Sequence, residues 1–294
     1  MTGAAREGVA RGEIVLGQND YGKSEIRLVK VERGSGHHEL RDLTVDVALE
    51  GDFEAVHLRG DNAGLLATDT MRNTVYALAK DYLKGSIEAF GSVLVDHFID
   101  VGPTVEQARV RIVEHPWDRI RVDGRGHEHS FIRGSGERTA VVRGDPGGSS
   151  RVEAGIDDLL VLKTTNSGFE GFLRERYTTL PETDDRILAT AITASWVYGD
   201  ASGLDFDGLW RGVRQRILET FTDHYSPSVQ HTLYRMGEAV LQEFSEVEKI
   251  HLSLPNKHHL PYDLGRFGME NENEIFHATS EPYGLIEGTV ERGG

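Results

Sequence analysis

Leu43-Thr44-Val45-Asp46-Val47-Ala48-Leu49-Glu50 decides the fold. Leu43, Val45, Val47 and Leu49 occupy every second position, with Thr44, Asp46, Ala48 and Glu50 between them. Side chains alternate between the two faces of a strand, so this period of two means a strand with one buried face. Residues 25–32 precede it at hairpin distance and pair with it. A helical stretch over about 72–98 follows. Val75, Leu78, Ala79, Tyr82 and Leu83 form one apolar stripe, and Ile87, Phe90, Leu94 and Phe98 form the next. Gly85-Ser86 separates the two helices, with Ser86 placed to cap the second. Strands return over 108–114, 119–123 and 138–143.

Asp145-Pro146-Gly147-Gly148-Ser149-Ser150 reads as a linker. The order then repeats: strands near 159–163 and 187–198, and helices over about 206–222 and 229–244. Tyr225-Ser226-Pro227-Ser228 splits these helices, and Ser228 is the expected cap. Ile250, Leu252 and Leu254 alternate as a further strand. The unit is strand, strand, helix, helix, strand, strand, used twice. It predicts an α+β protein of two tandem domains, 13–145 and 151–294, each a four-stranded antiparallel sheet with two helices on one face. Such sheets leave open edges, and closing them between subunits would make a barrel.

Composition narrows the function. The chain has 294 residues and no cysteine, which excludes disulfides, thiolate nucleophiles and Cys-based zinc or iron–sulfur sites. Its 48 acids against 32 bases give a net charge of −16. That charge disfavours nucleic acid or anionic membrane as partners and obliges any anionic ligand to find a local basic site. No apolar run reaches the length of a membrane span. Residues 1–12 read as a disordered leader without a signal core. Glu291-Arg292-Gly293-Gly294 is not the peroxisomal Ser-Lys-Leu address, so a bacterial cytoplasmic setting is expected. No Gly-x-Gly-x-x-Gly opens a helix in a βαβ context, so neither flavin nor nicotinamide is expected.

Four short segments carry the candidate chemistry: Tyr21-Gly22-Lys23, Ala67-Thr68-Asp69, Thr165-Asn166-Ser167-Gly168-Phe169 and Ser253-Leu254-Pro255-Asn256-Lys257-His258. Alone, Lys23 is a solvated lysine at a strand start, and Asp69 or Thr70 caps a helix with Thr68 in the turn before it. A desolvated lysine can instead act as a base, and a hydroxyl beside it can relay its proton. Asn256 and His258 point the same way along a strand; they are either a polar strand end or an amide and a proton carrier at a site. Phe169 is a core residue or a stacking platform, and Arg186 an edge charge or a two-pronged anion grip. Val229 and Gln230 begin a helix, or present an amide to a ring edge.

These four segments, in this order and at these separations, resemble the urate oxidase family over about residues 15–290. The resemblance implies the tunnelling fold (T-fold), in which the unit repeats and subunits join into a barrel. It also implies oxidation of urate by dioxygen to 5-hydroxyisourate and hydrogen peroxide without a cofactor, by a homo-oligomer, a homotetramer in the family, with sites at subunit interfaces. Lys23, Thr68 and His258 are the implied catalytic residues, with Lys23 and Thr68 meeting across a subunit interface. Thr68, Asp69, Phe169, Leu180, Arg186, Val229, Gln230 and Asn256 are the implied substrate residues. Two other classes stay open: a zinc-dependent T-fold enzyme on a purine or pterin, such as a cyclohydrolase or pterin synthase, and a non-enzymatic purine-binding oligomer. His127 and His129 have metal-ligand spacing, but no third ligand is evident and no metal is expected.

Overall fold

A computed structural model describes residues 14–34, 36–148 and 150–293. The expected leader over 1–12 lies outside the described residues. The chain forms β1 (Asp20–Glu32), β2 (Glu39–Gly51), a short α1 (Glu54–Arg59), α2 (Thr68–Tyr82), α3 (Ile87–Val101), β3 (Val105–Glu114), β4 (Trp117–Val122), β5 (Arg125–Arg133) and β6 (Glu137–Gly144). It continues with β7 (Arg151–Lys163), β8 (Leu188–Tyr198), α4 (Phe206–Thr222), α5 (Val229–Glu243), β9 (Val247–Pro261) and β10 (Phe276–Glu291).

The deciding stretch is β2, and its alternation does what the sequence demands. Leu43, Val45, Val47 and Leu49 are buried on the face that carries the helices. Thr44 and Asp46 face the other way, where Asp46 meets Arg111 of β3 at 3.7 Å. The hairpin with β1 pairs Ile26 with Val45 and Leu28 with Leu43. Strand order is β1-β2-β3-β6-β7-β8-β9-β10, every neighbouring pair antiparallel. The four strands expected of each half are therefore present, but β6 and β7 pair across the linker and fuse them into one eight-stranded sheet. The proline–glycine segment is the turn of that central hairpin.

Ser86 caps α3 by accepting from Ala89 N–H, and Ser228 caps α5 by accepting from His231 N–H at 3.1 Å. The expected cap of α2 is corrected. Thr68 is already its first helical residue and Ala67 holds the cap position, so neither Asp69 nor Thr70 caps it; Asp69 instead pairs with Arg72 at 2.5 Å. The strand expected over 119–123 belongs to a separate β4–β5 hairpin, outside the eight-stranded sheet, whose Trp117, Ile120, Val122 and Ile132 stay exposed.

One buried node ties the halves together beneath the helices. Arg138 of β6 donates to Glu88 of α3 at 2.6 Å and to Asp207 of α4 at 2.6 Å. Glu88 is 0% exposed, and burial pushes its carboxyl above the usual range even though Arg138 pulls the other way.

Candidate active site

The Thr165–Phe169 segment is a tight, fully determined turn. Asn166 adopts a left-handed backbone, φ 58°, a conformation its short amide side chain tolerates. Gly168 could be nothing else: a Cβ there would lie 2.2 Å from the Tyr225 hydroxyl and 2.9 Å from the Thr183 carbonyl. Two ladders pass through this point. Gly168 N–H donates to Ser226 O and Ser226 N–H to Asn166 O, both at 2.9 Å; Phe169 N–H donates to Thr183 O and Arg186 N–H to Ser167 O, both at 2.7 Å. The connection before α5, the turn at 165–169 and the segment at 183–186 are thereby locked together.

Their side chains meet the end of β9 around a cavity of about 320 Å³ lined by Phe169, Leu180, Arg186, Asn256 and His258, among others. Five of the expected substrate and catalytic residues thus share one wall. Phe169 stacks on Phe172 with centroids 4.9 Å apart, and the Arg186 guanidinium lies 5.4 Å from the Phe169 centroid. Arg186 Nε is buried with no hydrogen-bond partner. Burial lowers this guanidinium from its ordinary value, with the Tyr225 hydroxyl opposing. Asn256 Nδ2 lies 3.4 Å from His258 Nδ1, so the two do point the same way. Val229 is buried as the first residue of α5, while Gln230 beside it is exposed.

Lys23, Thr68 and Asp69 are elsewhere. Gly22 lets β1 pass so close to β2 that a Cβ would lie 1.8 Å from Val47 O, and the register shifts between Lys23 and Ile26. Three hydrogen bonds then lay α2 along β1. Leu66 N–H donates to Tyr21 Oη at 3.0 Å, Tyr76 Oη to Arg27 O at 2.7 Å and Lys30 Nζ to Leu83 O at 2.6 Å. Helix and strand run in the same direction, so the first turn of α2, with Thr68, stands level with Lys23 inside one chain. The resemblance instead implies that the two meet across an interface. β1 is one edge of the sheet, and β9 lies six strand spacings away, about 29 Å along the sheet at ~4.8 Å each. Within one chain the Lys23–Thr68 pair and the Arg186 cavity do not meet.

Sequence reasoning missed Asn273 and Phe276, which line the same cavity. Phe276 opens β10 and Asn273 lies in the loop just before it; the polar, proline- and glycine-bearing sequence of β10 hides its strand period. His127 and His129 stand on β5 with ring centroids 4.6 Å apart. Among the described residues, no group of three or more His, Asp or Glu side chains is placed to hold a metal ion. Nor is any helix among them long and apolar enough to cross a membrane.

A family profile described as Uricase matches residues 19–143 and 152–287. The uricase of Arthrobacter globiformis is 47% identical over 283 residues, covering 96% of this chain and 91% of that protein. The uricase of Aspergillus flavus is 41% identical over 287 residues, covering 92% and 95%. The crystal structure of the Arthrobacter globiformis uricase superposes with a TM-score of 0.90, covering 96% of each chain. Fold and cavity together define an α+β protein of the tunnelling-fold class, with an apolar, aromatic-floored pocket and an arginine whose Nε is buried. The chain belongs to the uricase family.

Proposed function

We propose that the protein oxidises urate with dioxygen and water to 5-hydroxyisourate and hydrogen peroxide, using no metal or organic cofactor. The observation that carries this reading is Arg186. A half-buried arginine whose Nε is buried and orphaned, beside an aromatic ring and facing a cavity, is built to receive a planar anion. Family membership names that anion.

Phe169 stacks on the purine, Leu180 and Val229 shape its bed, and Arg186 and Gln230 fix its edge. The Lys23–Thr68 pair takes the proton that makes urate electron-rich, and Asp69 borders the same end of the substrate. Asn256 holds dioxygen or water over the ring, and His258 relays protons. Two electrons leave urate for dioxygen, which takes up two protons to become peroxide, while water supplies the new C5 hydroxyl. Positioning and charge stabilisation supply the rate.

The same reading makes the protein a homo-oligomer, a homotetramer by family analogy. One chain gives Lys23, Thr68 and Asp69, and a second copy gives the Arg186 cavity. Residues 13–145 and 151–294 then act as two tandem units, each supplying half of every site, and the sheets close into a barrel. A cytoplasmic setting belongs to this reading. The test is loss of urate absorbance with matching peroxide release by exhaustively chelated protein. Activity that disappears with chelator and returns with zinc or copper would sink the cofactor-free claim.

A further inference from the structure

The connection between α4 and α5 touches both sides of the candidate pocket. Its Ser228 caps the helix that begins with Val229 and Gln230, and its Ser226 backbone pairs with the Thr165–Phe169 turn. It is anchored from behind. Ser226 is 0% and Thr232 1% exposed, their hydroxyl oxygens are 2.5 Å apart, and Thr232 Oγ1 lies 3.1 Å from His224 Nε2. From this fixed turn Tyr225 reaches forward, and its hydroxyl donates to Asp184 O at 3.1 Å, two residues before Arg186. The phenol can lie there because Gly168 has no Cβ.

The neighbouring residues of that segment are held by their own side. Thr183 Oγ1 donates to Asp185 O at 2.7 Å, Thr165 Oγ1 donates to Asp185 Oδ1 at 2.8 Å, and Arg186 N–H donates to Ser167 O. Among the described residues, the Asp184 carbonyl is the one group of this segment held from the α5 side.

Resting on the functional reading above, we infer that Tyr225 is a positioning residue. Its hydroxyl fixes the 183–186 segment so that the Arg186 fork and the start of α5, with Gln230, keep one spacing around the bound anion. Tyr225 does not touch the reacting atoms. It sets the separation of two groups that do, and a loose separation weakens binding of a rigid planar substrate without altering the chemical step. Global stability depends little on this bond, because Tyr225 is half exposed and water can reach the freed carbonyl.

The experiment is steady-state urate oxidation by four proteins: unsubstituted, Tyr225→Phe, Arg186→Ala and the double variant. Loss of one such bond shifts affinity by about three- to tenfold, so Tyr225→Phe should raise KM by that factor with kcat within about twofold and an unchanged melting temperature. In the Arg186→Ala background the same substitution should change kcat/KM by less than about twofold, because the group it positions is gone. An unsubstituted protein that leaves urate untouched sinks the functional reading and this inference together. An active protein whose Tyr225→Phe variant keeps its KM, or loses kcat instead, sinks the positioning role alone. So does a Tyr225 effect that persists undiminished without Arg186.

Discussion

Mixing two inactive variants tests the divided site. Lys23→Met keeps side-chain bulk and removes the amine; Arg186→Ala removes the anion grip. At urate well below the unsubstituted KM, the Lys23→Met oligomer should be nearly inert and the Arg186→Ala oligomer should keep no more than about a tenth of the unsubstituted rate. The groups stand about 29 Å apart along one sheet at ~4.8 Å per strand, too far for any side chain to bridge, so the site proposed above must draw them from two chains. In oligomers assembled from equal amounts of both variants, a site is intact only if its Lys23 comes from the Arg186→Ala chain and its Arg186 from the Lys23→Met chain. Random assembly of a shared interface makes that about one site in four, so about a quarter of the unsubstituted activity should return. Lys23→Met mixed with Thr68→Ala should restore nothing, because β1 and the start of α2 lie together in one chain and no mixing rebuilds that half. The chains are co-expressed with different tags, doubly purified, and assayed by urate absorbance. Verified mixed oligomers of the first pair that stay as inactive as their parents would refute the divided site. Recovery in the second pair would refute the placement of Lys23 and Thr68 in one chain.

Arg186→Ala leaves the anion without a charge-assisted hydrogen bond worth roughly 1.5–3 kcal/mol, so urate affinity should fall about ten- to a hundredfold; an unchanged binding titration removes Arg186 from the pocket. Arg138→Met strands the fully buried Glu88 and should cost about 3–5 kcal/mol in denaturant unfolding, with much of the loss regained on adding Glu88→Leu. A single variant within about 1 kcal/mol of the parent would mean that Glu88 is already neutral. Burial lowers the His224 imidazole below its ordinary value, with Lys163, His231 and Arg235 adding to the effect and the bond to Thr220 O opposing it. The unfolded chain then binds a proton that the folded chain refuses, so His224 removes stability as pH falls from about 6.5. The melting-temperature gap between the parent and His224→Gln should narrow between about pH 7.5 and 5.5, and parallel profiles would show that His224 is not so perturbed.

What could be read in the sequence was what alternation and periodicity encode. Leu43–Leu49 announces β2 because one face is wholly apolar, and the stripes of α2 and α3 announce helices packed on a sheet. β7 was only half visible. Gly155 and a bulge between Ile156 and Leu159, with Asp158 at φ 51°, break its period, so only 159–163 read as strand. β10 was hidden by Pro282, Gly284 and a register shift between Thr279 and Gly284. The site divides the same way. Phe169, Leu180, Arg186, Asn256 and His258 were named from the family resemblance and share one cavity, but periodicity reports which face a side chain takes and never which strand lies beside which. The hairpin that joins β6 to β7 therefore stayed invisible, read as a linker between separate sheets. That pairing places the Lys23–Thr68 half at one edge of a single eight-stranded sheet and the Arg186 half towards the other. On the reading proposed above, a chain that holds the two halves apart cannot complete a site by itself. Its two outer strands, β1 and β10, still carry unpaired backbone groups along one side among the described residues. In the oligomer proposed above, a second copy that covers those edges would remove that liability and bring the two halves within reach of one substrate, so that a single contact would serve both stability and catalysis.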